Sequence, residues 1–76
     1  MTYTQKMIKD LVKQGIATDI TNLNFDQIEQ LRKKHHLVKV GSSVGTYGIN
    51  GGLLKDDKTN ELFAITKRNS TLFQLF

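Results

Sequence analysis

The spacing of apolar residues changes once along this chain, at His36, and that change constrains the fold more than any other feature. Before it, hydrophobic side chains recur at three- and four-residue intervals; beyond it they alternate in segments rich in β-branched and aromatic residues. Helices are therefore expected first and strands after, which is an α+β arrangement.

Residues 4–14 form the first expected helix. Met7, Ile8, Leu11 and Val12 share one side, Tyr3 lies on the margin, and Gly15 stands where a C-terminal glycine cap belongs. The second helix has the stronger start signal. Leu23 precedes Asn24 as N-cap, Asp26 sits near the positive end of the dipole, and Gln27 with Ile28 completes a capping box and hydrophobic staple. This helix should run from Phe25 to Lys34 or His35, bury Phe25, Ile28 and Leu31, and pair Glu29 with Lys33. The intervening GIATDITNL is too long for a tight helix-turn-helix, which disfavours a DNA-reading helix pair.

LVKVG, GTYGI, ELFAIT and TLFQLF then read as four antiparallel strands. KDDKTNE joins two of them as a type I turn with Asn60 in the left-handed position, and Arg68, Asn69 and Ser70 make the next turn. The expected fold is a single domain over residues 1–76, with two N-terminal helices packed on one face of a four-stranded antiparallel β-meander. Val38, Val40, Tyr47, Ile49, Phe63 and Ile65 would face the helices, leaving Lys39, Thr46, Thr66, Arg68 and Gln74 on a polar face.

Seventy-six residues support one small core, burying about 60% of the surface the unfolded chain exposes. The absence of cysteine removes disulfides and thiolate metal sites as supplements and fits a reducing compartment. The N-terminus is polar and no apolar run approaches the roughly 18 residues of a membrane span, so a soluble cytoplasmic protein is expected. Usage of Lys, Asn, Ile and Thr resembles coding from an AT-rich bacterium or one of its phages. The formal net charge of +4 favours polyanions only weakly.

Five of the six glycines fall in VGSSVGTYGINGG, residues 40–52. A phosphate loop needs GxxxxGK and then a helix, and a dinucleotide site needs GxGxxG opening a helix; neither context is present. The glycines instead suit a bulge, a bend or a close backbone approach. Asn50 and Gly51 also match the strongest two-residue hairpin signal, so a turn there stays open as an alternative. Around Tyr47 the exposed backbone suits a partner's ring, base or strand edge.

Charged and titratable residues each carry an ordinary and a functional reading. Lys6, Lys9 and Lys13 form a stripe along the first helix, which is either a solvated face or a phosphate-binding surface. In RKKHH, residues 32–36, the cations are explained by the dipole at a helix C-terminus; alternatively Arg32 and Lys34, with Lys39 and Arg68, contact phosphates. His35 projects toward Ile28 and Leu31 and reads as a partly buried, hydrogen-bonded histidine, while His36 points elsewhere. Asp56 and Asp57 read as a solvated turn, with no calcium-loop spacing. No metal or cofactor site and no catalytic motif is recognisable, so an enzyme is not expected.

TLFQLF would place Leu72, Phe73, Leu75 and Phe76 on both faces of a final strand, either buried under the helices or paired with another molecule, including a second copy. Two function classes follow. The first is a small module binding nucleic acid or a nucleoprotein through Lys6, Lys9, Lys13, Arg32, Lys34, Lys39 and Arg68. The second is a phage or mobile-element type modulator, such as an inhibitor of a host defence nuclease, contacting its protein partner through Tyr47, Phe73 and Phe76.

Overall fold

Local capping sets the two long helices. In the computed structural model, which describes residues 3–46 and 48–76, α1 spans Gln5–Lys13 and begins where the Thr4 hydroxyl accepts from the Met7 N–H at 3.1 Å. It ends in a Schellman arrangement: Gly15, at φ +78°, donates to the Val12 carbonyl and Ile16 to that of Leu11. α2 spans Phe25–Lys34 behind the complete capping box, Asn24 and Gln27 exchanging bonds of 2.8 and 2.9 Å. Leu23 packs against the same cluster as Ile28, which is the staple. Phe25 does not face the core: it is 69% exposed, because Ile28 and Leu31 turn the buried stripe away from the first residue of the helix. Glu29 pairs with Arg32 at 3.0 Å rather than with Lys33.

The sheet is mixed, not an antiparallel meander. Its strands are β1 (Ala17–Asp19), β2 (Leu37–Gly45), β3 (Gly48–Asp56) and β4 (Leu62–Ile65), in the order β1-β4-β3-β2. β2, β3 and β4 pair antiparallel, whereas β1 joins β4 in parallel, with Ala17 opposite Leu62 and Asp19 opposite Ala64. Asn50 lies inside β3, and the β2–β3 hairpin closes at Gly45 opposite Gly48, so Asn50-Gly51 is not the turn. Asn60 does take the left-handed conformation, at φ +65°.

TLFQLF is not a strand. Ser70–Gln74 form a short helix, α3, capped by the Asn69 side chain, which accepts from the Leu72 N–H at 3.1 Å. Leu72, Phe73, Leu75 and Phe76 would occupy two faces of a strand but one side of a helix, and that side packs onto the sheet. Phe73 lies on β3 at Gly52, where a Cβ would overlap its ring, and the Lys39 ammonium sits 4.8 Å from the ring centroid on that face.

Both faces of the sheet are covered, which corrects the expectation that the helices share one. Adjacent residues of β3 point to opposite sides, and they belong to different clusters. Leu53 packs with Ile8 of α1 and Ala64; Leu54 packs with Ile28 of α2, Phe63, Ile65 and the α3 residues Leu72 and Phe73. Val40 joins the α1 layer, Phe63 and Ile65 the α2–α3 layer, and Val38 is exposed. Thr66 is buried rather than on a polar face, its hydroxyl donating to Asp19 at 3.0 Å and its N–H to the Thr21 hydroxyl at 2.8 Å. Burial opposes ionisation of Asp19, but its bonds from Thr21 and Thr66 outweigh that and hold its carboxyl below the ordinary range.

This layout gives the molecule two ends. At one, the β2–β3 hairpin, Gln5 of α1 donates its side-chain N–H to the Thr66 carbonyl at 3.0 Å. At the other, which holds the β3–β4 turn, α1 finishes and leads into Ala17 opposite Leu62, and α2 finishes and leads into Leu37 opposite Asp56. Both long helices therefore deliver their C-termini to the turn end.

Candidate nucleic-acid interface

Cations favour helix C-termini, because the unsatisfied carbonyls there carry partial negative charge. Both helices finish at the turn end, on opposite faces of the sheet, and bring cations there: Lys13 from α1 and Arg32, Lys33 and Lys34 from α2. The β3–β4 turn adds Lys58. Between α2 and this turn opens a cleft of about 400 Å³ lined by Arg32, Lys33, Lys34, Lys58, Thr59 and Glu61 together with His35, His36 and Asp56. A smaller cleft of about 240 Å³ shares Arg32, His35 and His36 and continues to Leu37, Leu75 and Phe76.

Two histidine–aspartate bonds tie α2 to the turn. His35 Nδ1 lies 2.6 Å from Asp56 Oδ2, with the side chains only 11% and 4% exposed, and the imidazole tilts against Phe63 at 5.0 Å between ring centroids. The other carboxylate oxygen of Asp56 accepts from the Lys58 N–H at 2.8 Å and the Thr59 N–H at 3.3 Å. The His35 bond and these amides hold the Asp56 carboxyl at about 2, against an ordinary 3.8. An ionised carboxylate only accepts, so His35 carries its proton on Nδ1. Asp56 is accordingly not a solvated turn residue: it is buried and its bonds build the turn.

His36 and Asp57 repeat the contact on the surface. His36 Nδ1 lies 2.6 Å from Asp57 Oδ2, the side chains being 71% and 41% exposed. The Asp57 N–H also donates to the His36 carbonyl at 3.2 Å. The bond orients the ring and leaves Nε2 without a protein partner among those described.

The residues proposed from sequence divide by location. Arg32 and Lys34 border the cleft, whereas Lys13 lies at the same end of the molecule on the α1 side of the sheet and does not line it. Lys6 and Lys9 run back along α1, across the sheet from α2. Lys39 is on the α3 face with its ammonium over Phe73, and Arg68 follows β4 at the hairpin end, so neither joins the α2 terminus. The N-terminal stripe and the α2 cations are thus not one continuous patch on one side. Among the residues proposed for a protein interface, Phe73 is buried within the fold, Phe76 is half-buried against the same core, and Tyr47 lies outside the described residues. Pairing of two copies through a C-terminal strand has no basis in this fold, since that segment is helical.

Sequence reasoning does not bring Lys33, Lys58, His36 and Asp57 together; the fold does, at the end of α2 and the β3–β4 turn. RKKHH and KDDK are both conspicuous in sequence, but the bonds joining them span 21 positions and no local pattern signals them. Among the described residues, no group of three or more His, Asp or Glu side chains is placed to hold a metal ion, and no helix is long and apolar enough to cross a membrane. No protein-family model matches the chain, and no curated protein and no solved structure matches it either.

Proposed function

We propose that this protein is a small non-enzymatic module that binds nucleic acid, alone or within a nucleoprotein, by seating the phosphate backbone against the turn end. The observation that carries this reading is the meeting of the α2 C-terminus with the β3–β4 turn, which rims one open cleft with Arg32, Lys33, Lys34 and Lys58. Asp56 and Glu61 line the same cleft, so its four Lys and Arg side chains outnumber its two carboxylates, and Glu29 lies against Arg32 at 3.0 Å. Contacts of this kind position a backbone and do not read bases, so binding should be insensitive to sequence.

Fluorescence anisotropy of labelled duplex DNA, single-stranded DNA and RNA at about 50 and 200 mM salt tests it. Four phosphate contacts imply a loss of about a hundredfold in affinity between those two salt concentrations. Lys33→Glu with Lys58→Glu should abolish binding, whereas Lys6→Glu with Lys9→Glu, on the far layer, should weaken it only through net charge. Undiminished binding by the Lys33/Lys58 variant would remove the turn end as the interface.

A further inference from the structure

We infer that phosphate binding at the turn end is coupled to uptake of a proton by His36, so that the site grips nucleic acid more tightly as pH falls. This rests on the nucleic-acid reading above and adds the regulation of that site.

The argument is one of donors and acceptors. Asp57 accepts from His36 Nδ1 at 2.6 Å, which fixes the single proton of a neutral imidazole on that nitrogen. Nε2 is then a lone pair, and a phosphate oxygen beside it meets an acceptor. Protonation converts Nε2 into a charged N–H donor without breaking the Asp57 bond, and imidazole is the ordinary side chain whose charge changes between about pH 5 and 8. The ring is 71% exposed, so a backbone phosphate in the cleft can reach it.

The charged neighbours explain why this ring and not another acts. α2 contributes Arg32, Lys33 and Lys34, with Glu29 bonded to Arg32; β3 ends in Asp56; the turn contributes Asp57, Lys58 and Glu61; and the C-terminal segment contributes Leu75 and Phe76. The cations draw an arriving phosphate, and its negative charge meets an N–H donor on a protonated His36 ring but a lone pair on a neutral one. Binding and protonation therefore strengthen each other reciprocally. His35 is not the responding group, since its ring is enclosed between Asp56 and Phe63.

Anisotropy at fixed ionic strength and about pH 5.5 and 7.5, with single-stranded RNA or DNA as probe, measures the coupling directly. Affinity should rise about tenfold at the lower pH, and calorimetry near pH 6.5 in two buffers of different ionisation enthalpy should show net proton uptake. His36→Gln, a surface change, should give equal affinities at the two pH values and no uptake. Binding that is independent of pH in the unaltered protein, or a full pH response retained in His36→Gln, would overturn the inference while leaving the nucleic-acid reading in place. No binding at low salt and the lower pH would overturn both.

Discussion

Asp56 shows how one buried carboxylate can fasten a helix end to a turn. One of its oxygens fixes His35 and the other receives two amides of the β3–β4 turn, so the carboxylate joins the end of α2 to the loop that carries Lys58. These bonds favour the ionised form, and the sign of the pH effect follows. The folded value of about 2 lies below the ordinary 3.8, so the stabilisation is complete above about pH 4 to 5, falls as pH drops through the interval, and is gone below about 2. Asp56→Asn should lower stability at neutral pH and remove this part of the acid-unfolding profile, followed by circular dichroism. A variant whose acid midpoint and neutral stability both match the parent would show that the carboxylate does not fasten the turn. Asp57, paired on the surface, should contribute little to stability by comparison.

At the scale of elements, what was legible in the sequence had local causes. The α2 boundaries follow from Asn24, Gln27 and Leu23, the end of α1 from Gly15, and the turn conformation from Asn60, each determined by residues within a few positions. β1 was not legible because three residues, Ala-Thr-Asp, form a strand only through β4, which is more than forty positions away. α3 was not legible because Leu72, Phe73, Leu75 and Phe76 satisfy a doubly buried strand and a one-sided helix alike. Gly52 decides between them in three dimensions, since the bare backbone of β3 lets the Phe73 ring lie against it. The candidate site was half legible for the same reason: its cations were visible as runs, while the pairing of His35 and His36 with Asp56 and Asp57 depends on the fold. Gly52→Ala should therefore displace α3 and destabilise by about 1–3 kcal/mol, the usual range for overpacking. In a Phe73→Leu background, with the ring gone, the same substitution should cost measurably less in urea denaturation. Equal costs in both backgrounds would mean that α3 is not seated on Gly52.

For the whole molecule the decisive feature is that two apolar layers share one sheet. Leu53 and Ala64 face α1, while Leu54, Phe63 and Ile65 face α2 and α3, so neither layer has a sheet of its own. Ile8 anchors the first and Ile28 the second, at 0% and 2% exposure. If the sheet makes the layers one cooperative unit, damage to either must be felt by both. Ile8→Ala and Ile28→Ala should each cost about 2–5 kcal/mol, a large share of the stability of a small domain. Each should also shift a single urea transition, with far-ultraviolet circular dichroism and the amide resonances of the opposite layer changing together. The shared sheet also fixes how the cations of the turn end are held, because Lys13 comes from the α1 layer and Arg32, Lys33 and Lys34 from the α2 layer. An Ile8→Ala protein that lost α1 in a separate early transition while Ile28 and Leu54 stayed packed would show the layers to be independent. The shared sheet would then no longer account for how cations from two sides are held at one end.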